Sequence, residues 1–248
     1  MTSRWWVRRL GAAHVVLFLA IASMLAAAHA VEDARKVAVV SFGLFGDQGV
    51  FRSEATRAAN IVASRFGGDP VIVRFNTRKG GSATVASLAA ELQTAAKQMN
   101  ADRDVLLLIL TSHGDRDGLA VTAGRLEETL TPSDLARMLE QTGVRHKVVI
   151  ISACYSGVFI PSLAAPDTLV ITAADADHSS FGCEDGATWT YFGEAFFNVA
   201  LRRAETLKDA FAQARALVSK RERRNGFDPS HPQMAGGENV EMLLVARP

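Results

Sequence analysis

LLLILTSHGDRDGLAV (Leu106–Val121) and HKVVIISACYSG (His146–Gly157) are two apolar runs, each ending in a reactive side chain and then a glycine. Continuous runs of Leu, Ile and Val with no polar alternation read as strands covered on both faces, the pattern of a parallel sheet. Ligands of open α/β sheets sit outside the carboxyl ends of the strands. Those ends carry His113-Gly114 and Cys154-Tyr155-Ser156-Gly157. An imidazole beside a thiol is a minimal set for nucleophilic catalysis. The base takes the proton, and the thiolate attacks a carbonyl. The backbone N–H groups of Gly114 and Cys154 are candidates for the oxyanion hole. Beyond residue 30 the chain has four histidines (113, 146, 178, 231) and two cysteines (154, 183). Only His113 with Cys154 places both groups directly after strongly apolar strands.

Outward from these two strands the chain alternates strand and helix. KVAVVSF (Lys36–Phe42), PVIVRF (Pro70–Phe75) and TLVITAA (Thr168–Ala174) read as further buried strands. Phe51–Phe66 has helical apolar spacing and stops at Gly67-Gly68. An alanine-rich helix is expected after Ser82 as N-cap, and another has Thr131 as cap with Pro132 at its first position. Two more helices are expected over 189–203 and 206–223. No repeat, low-complexity linker or composition break divides residues 31–248, so they read as one α/β domain with a mainly parallel sheet and helices on both faces.

The first thirty residues are of another kind. MTSRWWVRR is a cationic head, LGAAHVVLFLAIASMLAA an apolar run, and Ala28-His29-Ala30 a small-residue ending. That is the pattern of a signal peptide over 1–30, cleaved to leave Val31 first. The alternative is an inner-membrane anchor formed by residues 10–28, which are just long enough to span. Cleavage is the preferred reading. It implies an exported, periplasmic domain with no membrane insertion thereafter. The 248-residue chain has a formal charge of +1; without Arg4, Arg8 and Arg9 it holds 24 basic against 26 acidic residues. That balance argues against a nucleic-acid partner. Two cysteines rule out a disulfide scaffold.

The blocks LTSHGDRDGLAV, VVIISACYSG, LVITAADADHSSFGC, TYFGEAFFNVAL and PSHPQM resemble, in that order, those of the legumain (asparaginyl endopeptidase) family, particularly its bacterial secreted members. The resemblance implies a caspase-like three-layer α/β sandwich, a cysteine–histidine dyad, no metal or organic cofactor, and a peptide or protein as substrate. Carried over by residue, Cys154 matches the nucleophile and His113 the general base. Arg52, Ser179 and Glu194 match residues of a pocket that holds an asparagine side chain, and Ser152 is a fourth candidate for that pocket. Two positions depart from the family. Ser152 stands where glutamate is common, two before the nucleophile. Val50 stands where an asparagine orients the histidine. Strict asparagine preference therefore transfers less well than the dyad, and aspartate is a second candidate residue for cleavage. A transpeptidase or ligase using the same dyad, and a catalytically silent peptide-binding domain, are the alternatives.

Other features carry less. Gly43-Leu-Phe-Gly46-Asp-Gln-Gly49 follows a strand, but its spacing is GxxGxxG and no acid closes a second strand as a dinucleotide site requires. KRERR (Lys220–Arg224) reads as a solvated helix end. Cys183 reads as a pocket-edge or core thiol, and His231 has no evident chemical role. No Cys/His cluster has the sequence spacing of a zinc site.

Overall fold

Val105–Thr111 and His146–Ser152 pair in parallel and in register, from Val105 opposite His146 to Thr111 opposite Ser152. Every residue of the first strand is buried, as its unbroken apolar run demands. Around this pair the computed structural model describes residues 35–244. The proposed signal peptide (1–30), its cleavage point and the alternative anchor (10–28) lie outside the described residues. Among the described residues, no helix is long and apolar enough to cross a membrane.

In chain order the elements are β1 (Val37–Gly43), α1 (Gly49–Phe66), β2 (Gly68–Thr77), β3 (Gly80–Gly81), α2 (Val85–Ala96) and β4 (Val105–Thr111). The hairpin β5 (Leu119–Ala123) and β6 (Leu126–Leu130) follows, then α3 (Pro132–Gln141), β7 (His146–Ser152), α4 (Ile160–Leu163) and β8 (Thr168–Thr172). A single turn, α5 (Tyr191–Gly193), continues as a π-helix over Glu194–Ala200, and α6 (Leu207–Asn225) and β9 (Gln233–Ala235) close the domain. The main sheet has the order β3-β2-β1-β4-β7-β8-β9. Its five central strands are parallel, and β3 and β9 pair antiparallel at the edges.

The strand order turns at β1. From there the chain steps outward to β2, then returns to lay β4 on the other side of β1. The crevice at that switch, outside the carboxyl ends of β1 and β4, is where such a sheet binds ligands.

Strand alternation sends side chains to two separate cores. Val39, Leu107, Ile109 and Ile150 meet Ala58 and Val62 of α1, the π-helical Phe196 and Phe197, and Phe211 of α6. Val40, Leu106, Leu108 and Val149 meet Leu88 and Leu92 of α2 and Leu135 and Leu139 of α3. The result is a three-layer α/β sandwich. Each fully buried Phe or Leu contributes about 1.5–3 kcal/mol to it.

Several local expectations need correction. Helix α2 is capped by Thr84 and not Ser82: the Thr84 side chain accepts from the Ser87 N–H, and Ser87 answers in a capping box. The helix expected over 189–203 begins at Tyr191, where Thr190 caps it, and most of its length is π-helical. The β5–β6 hairpin and the edge strand β9 add to the expected elements. The hairpin is held by backbone bonds from Thr122 N to Leu44 O and from Gly46 N to Thr122 O, both 3.0 Å. It therefore props the Leu44–Gln48 loop at the end of β1.

Candidate active site

His113 and Cys154 each lie two residues past the last in-register pair of β4 and β7, Thr111 and Ser152. The Ser112 N–H donates to Ser152 O at 3.2 Å, which carries the pairing one step beyond the strands. A Cβ on Gly114 would fall 2.5 Å from Cys154 O, so only glycine lets the turn after His113 lie against the peptide of Cys154. Tyr155, directly after the cysteine, has a left-handed backbone with φ 52°. That conformation costs a non-glycine residue about 1 kcal/mol or more. It is held by the Tyr155 N–H donating to His178 O at 2.9 Å. Neither Gly114 N–H nor Cys154 N–H donates to another described residue.

The Cys154 thiol is free and half-buried. Its Sγ accepts from the Ser180 N–H at 3.2 Å and lies 3.3 Å from Ser180 O, to which the thiol hydrogen donates. Ser180 therefore holds the sulfur in place through both its backbone N–H and its carbonyl. Cys183, three residues beyond Ser180, is also free and half-buried. Burial pushes its thiol up, and the charge of Cys154 pushes it further the same way, which places the two sulfurs in one electrostatic neighbourhood.

His113 is walled by two phenylalanines at steep angles, Phe45 at 4.6 Å and Phe51 at 5.0 Å between centroids. Burial lowers its pKa below the usual histidine value, so the ring is neutral at neutral pH. Its Nε2 lies 2.5 Å from Gln48 Oε1, which is an acceptor. Nε2 therefore carries the hydrogen, and Nδ1 keeps the lone pair that a base needs.

Beneath the strand ends sits a residue absent from the sequence-derived candidates. Glu54 of α1 is fully buried with no cationic partner among its contacts. The Thr111 hydroxyl donates to its Oε1 at 3.0 Å and the Thr190 N–H to its Oε2 at 2.8 Å, and Ser152 bonds it too. A Cβ on Gly193 would come within 2.0 Å of Oε2, so that glycine makes room for the carboxyl. Desolvation raises the Glu54 pKa, and the hydrogen bonds offset this only in part.

The three-layer sandwich matches a known architecture. A solved structure, that of caspase-1 from Spodoptera frugiperda, superposes with a TM-score of 0.58 at 15% identity, covering 82% of this chain and 86% of that one. The fold is caspase-like. No curated protein matches the chain. The family model described as Peptidase C13 family matches residues 85–240, more than half of the chain. The chain belongs to the peptidase C13 family.

The family and the fold are those of cysteine peptidases, and a peptide substrate follows from them. Against the legumain pattern of this C13 family, both departures acquire a physical counterpart. Val50 is fully buried and offers the histidine nothing, but Gln48, two residues earlier, reaches Nε2. Ser152 lacks the carboxyl common at its position, but Glu54 supplies one from α1, within reach of the Ser152 hydroxyl. Ser152 itself is buried, its Oγ 3.0 Å from Thr190 Oγ1. It touches the buried acid and not open solvent.

The other pocket candidates are dispersed. Arg52 is exposed on the first turn of α1, its guanidinium 5.9 Å from the Phe75 ring centroid. Ser179 lines a hollow of about 380 Å³ with Tyr155, His178, Phe181 and Phe227. Its neighbour Ser180 makes the sulfur contacts. Glu194 pairs with Arg221 at 2.7 Å, and Arg221 stacks over the Tyr191 ring at 3.6 Å. These three line a separate groove with Leu217 and Arg224. In this arrangement Glu194 already has a cationic partner other than Arg52.

Glu54 left a signal in the sequence. It is an acid at helical spacing between Phe51 and Ala58, on the face of α1 that is otherwise apolar. Gln48 left none, because a glutamine in a glycine-bounded loop has no periodicity to break.

Proposed function

We propose that this chain is an exported cysteine endopeptidase that cleaves after asparagine, with aspartate accepted, through an acyl-enzyme on Cys154. The observation that carries the reading is the pairing of β4 with β7, which delivers His113 and Cys154 to one edge while Gln48 leaves His113 Nδ1 unprotonated.

In this mechanism the Cys154 proton passes to His113 Nδ1, and the thiolate attacks the scissile carbonyl carbon. The carbonyl π electrons move onto oxygen, which accepts from the Gly114 and Cys154 N–H groups. Collapse of the tetrahedral species breaks the C–N bond, and the imidazolium returns its proton to the departing amine. A thioester remains. Water, deprotonated by His113, then releases the acid; an amine in its place would make the enzyme a transpeptidase.

For specificity, Arg52 would donate to the side-chain carbonyl of the substrate asparagine, with Ser179 and Glu194 approached from the hollow and the groove that they separately line. The Arg221–Glu194 pair supports aspartate as an accepted alternative, because it spends part of the negative charge that would oppose a carboxylate. The cationic head and apolar run of residues 1–30 support export to the periplasm. Incubating the protein with a peptide library, with and without an added amine nucleophile, tests the reading. Products ending in Asn or Asp support it, amide-linked products redirect it to ligation, and no covalent labelling of Cys154 by a thiol-directed peptide probe leaves only a binding domain.

A further inference from the structure

His231 has no place in the peptidase mechanism, and neither does His178, yet the fold brings them together. The His178 and His231 rings meet edge to face with centroids 4.9 Å apart. Asp175 stands on the other side of His178, with Oδ1 2.7 Å and Oδ2 2.9 Å from Nδ1. One ligand-capable atom from each of Asp175, His178 and His231 lies within 4.8 Å of the other two. We propose that these three side chains form a binding site for one divalent transition-metal ion of the zinc class, clamping the loop behind the nucleophile to the chain leading into β9.

The donor chemistry fits. Two imidazoles and one carboxylate are the mixed nitrogen and oxygen set that zinc and its neighbours in the first row take, with the fourth position open to water. Metal–ligand bonds of about 2.0–2.2 Å put ligands roughly 3.2–3.6 Å apart in a tetrahedron. The Asp175–His178 edge is already shorter, and the exposed His231 would swing inward to close the set. The ion would take the place of the hydrogen between Asp175 and His178, and a neutral imidazole then binds through one ring nitrogen with its hydrogen on the other.

Two further observations set this cluster apart from a chance grouping. The His231 backbone is left-handed, φ 54°, on a residue followed by proline, so the chain holds this side chain at a strained position. The turn is locked on both sides of the cluster. Asp175 N–H donates to Ser230 O at 3.0 Å, and Asp175 Oδ1 also accepts from the Asp177 N–H at 2.9 Å. Ser230 is fully buried, and its hydroxyl has no hydrogen-bond partner among the described residues. Access is open: His178 lines the hollow shared with Asp177 and Asp228, and His231 lines a larger cleft of about 810 Å³.

The consequence lies at the thiol. The clamped loop ends in Ser179 and Ser180, and Ser180 provides the N–H and C=O that touch Cys154. An ion at the cluster fixes those two residues without contacting the dyad.

The test uses the whole chain carrying Cys154→Ala, which removes the thiolate that would compete for metal. Titration with Zn²⁺ by calorimetry should give one ion per chain, and saturation should raise the unfolding midpoint by about 5 °C. Amide exchange over residues 174–180 should slow. His178→Gln and His231→Asn, the latter chosen because asparagine tolerates the left-handed backbone, should each weaken binding at least tenfold. If one variant fails to fold, the other decides. A Co²⁺ spectrum without thiolate charge-transfer bands confirms the nitrogen and oxygen set. No saturable binding, affinity unchanged by both substitutions, or a thiolate band from Cys183 would each overturn the site.

Discussion

Gln48 Oε1 lies 2.5 Å from His113 Nε2, so the tautomer of the proposed base is set by a residue outside the family-matched region. Gln48→Ala should lower kcat about ten- to a hundredfold with little change in KM, because it loosens the ring without touching substrate. Gln48→Glu should raise the His113 pKa, since a carboxylate favours the imidazolium, and move the acid limb of the kcat/KM profile to higher pH. A Gln48→Glu profile that superposes on the parent would remove Gln48 from the mechanism.

Cys154→Ala should abolish turnover, and His113→Ala should reduce it by about 10²–10⁴. Cys183→Ala should retain activity. Turnover by the Cys154 variant alongside a dead Cys183 variant would reverse the assignment of the nucleophile.

Glu54 ties stability to pH. Its folded pKa is raised above the unfolded value of 4.5 by desolvation, so the folded chain holds a proton there that the unfolded chain has lost. That contribution is complete below about pH 4.5 and fades as pH rises through the folded value. Glu54→Gln, which needs no proton, should therefore gain in melting temperature relative to the parent between pH 4 and pH 8. Glu54→Ala, which orphans Thr111, Ser152 and the Thr190 N–H, should cost about 3 kcal/mol near pH 4.5, and less as pH rises and the parent loses its own contribution. A Glu54→Gln difference that stays flat with pH would show that the carboxyl is ionised in the folded protein.

Arg52→Ala should lower kcat/KM for asparagine substrates by about 2–4 kcal/mol, because a charge-assisted bond desolvated by substrate is lost. Cleavage after aspartate should improve relative to asparagine as pH falls and the substrate carboxylate is protonated. Equal cleavage after Asn, Leu and Lys would dismiss the pocket and leave the dyad untouched.

If the chain is exported as proposed, intact-mass measurement of the periplasmic fraction should find Val31 at the N-terminus. Full-length chain confined to the membrane fraction would favour an anchor over a cleaved signal.

The parallel core and the placement of His113 and Cys154 were legible because buried parallel strands are unbroken apolar runs, and residues just past their carboxyl ends must face the crevice where such sheets bind ligands. Pairwise geometry was not. Whether Glu194 faces Arg52 or Arg221 depends on how a π-helical turn rotates it against α6, and no spacing rule encodes that rotation. The β5–β6 hairpin escaped because LAVTAGRLEETL carries a charged face and a glycine turn that read equally as loop. The metal-capable cluster escaped because its members lie 53 residues apart between His178 and His231, joined only when Ser230 O meets Asp175 N.

Gln48, Arg52 and Glu54 share one seven-residue stretch leading into and opening α1. The partner of the base, the proposed pocket cation and the buried acid under the strands thus ride on a single rigid turn. A small sliding of that turn would detune all three at once. On the proposed roles, turnover and selectivity are coupled through this stretch, and substitutions that reseat α1 on the sheet should change both together.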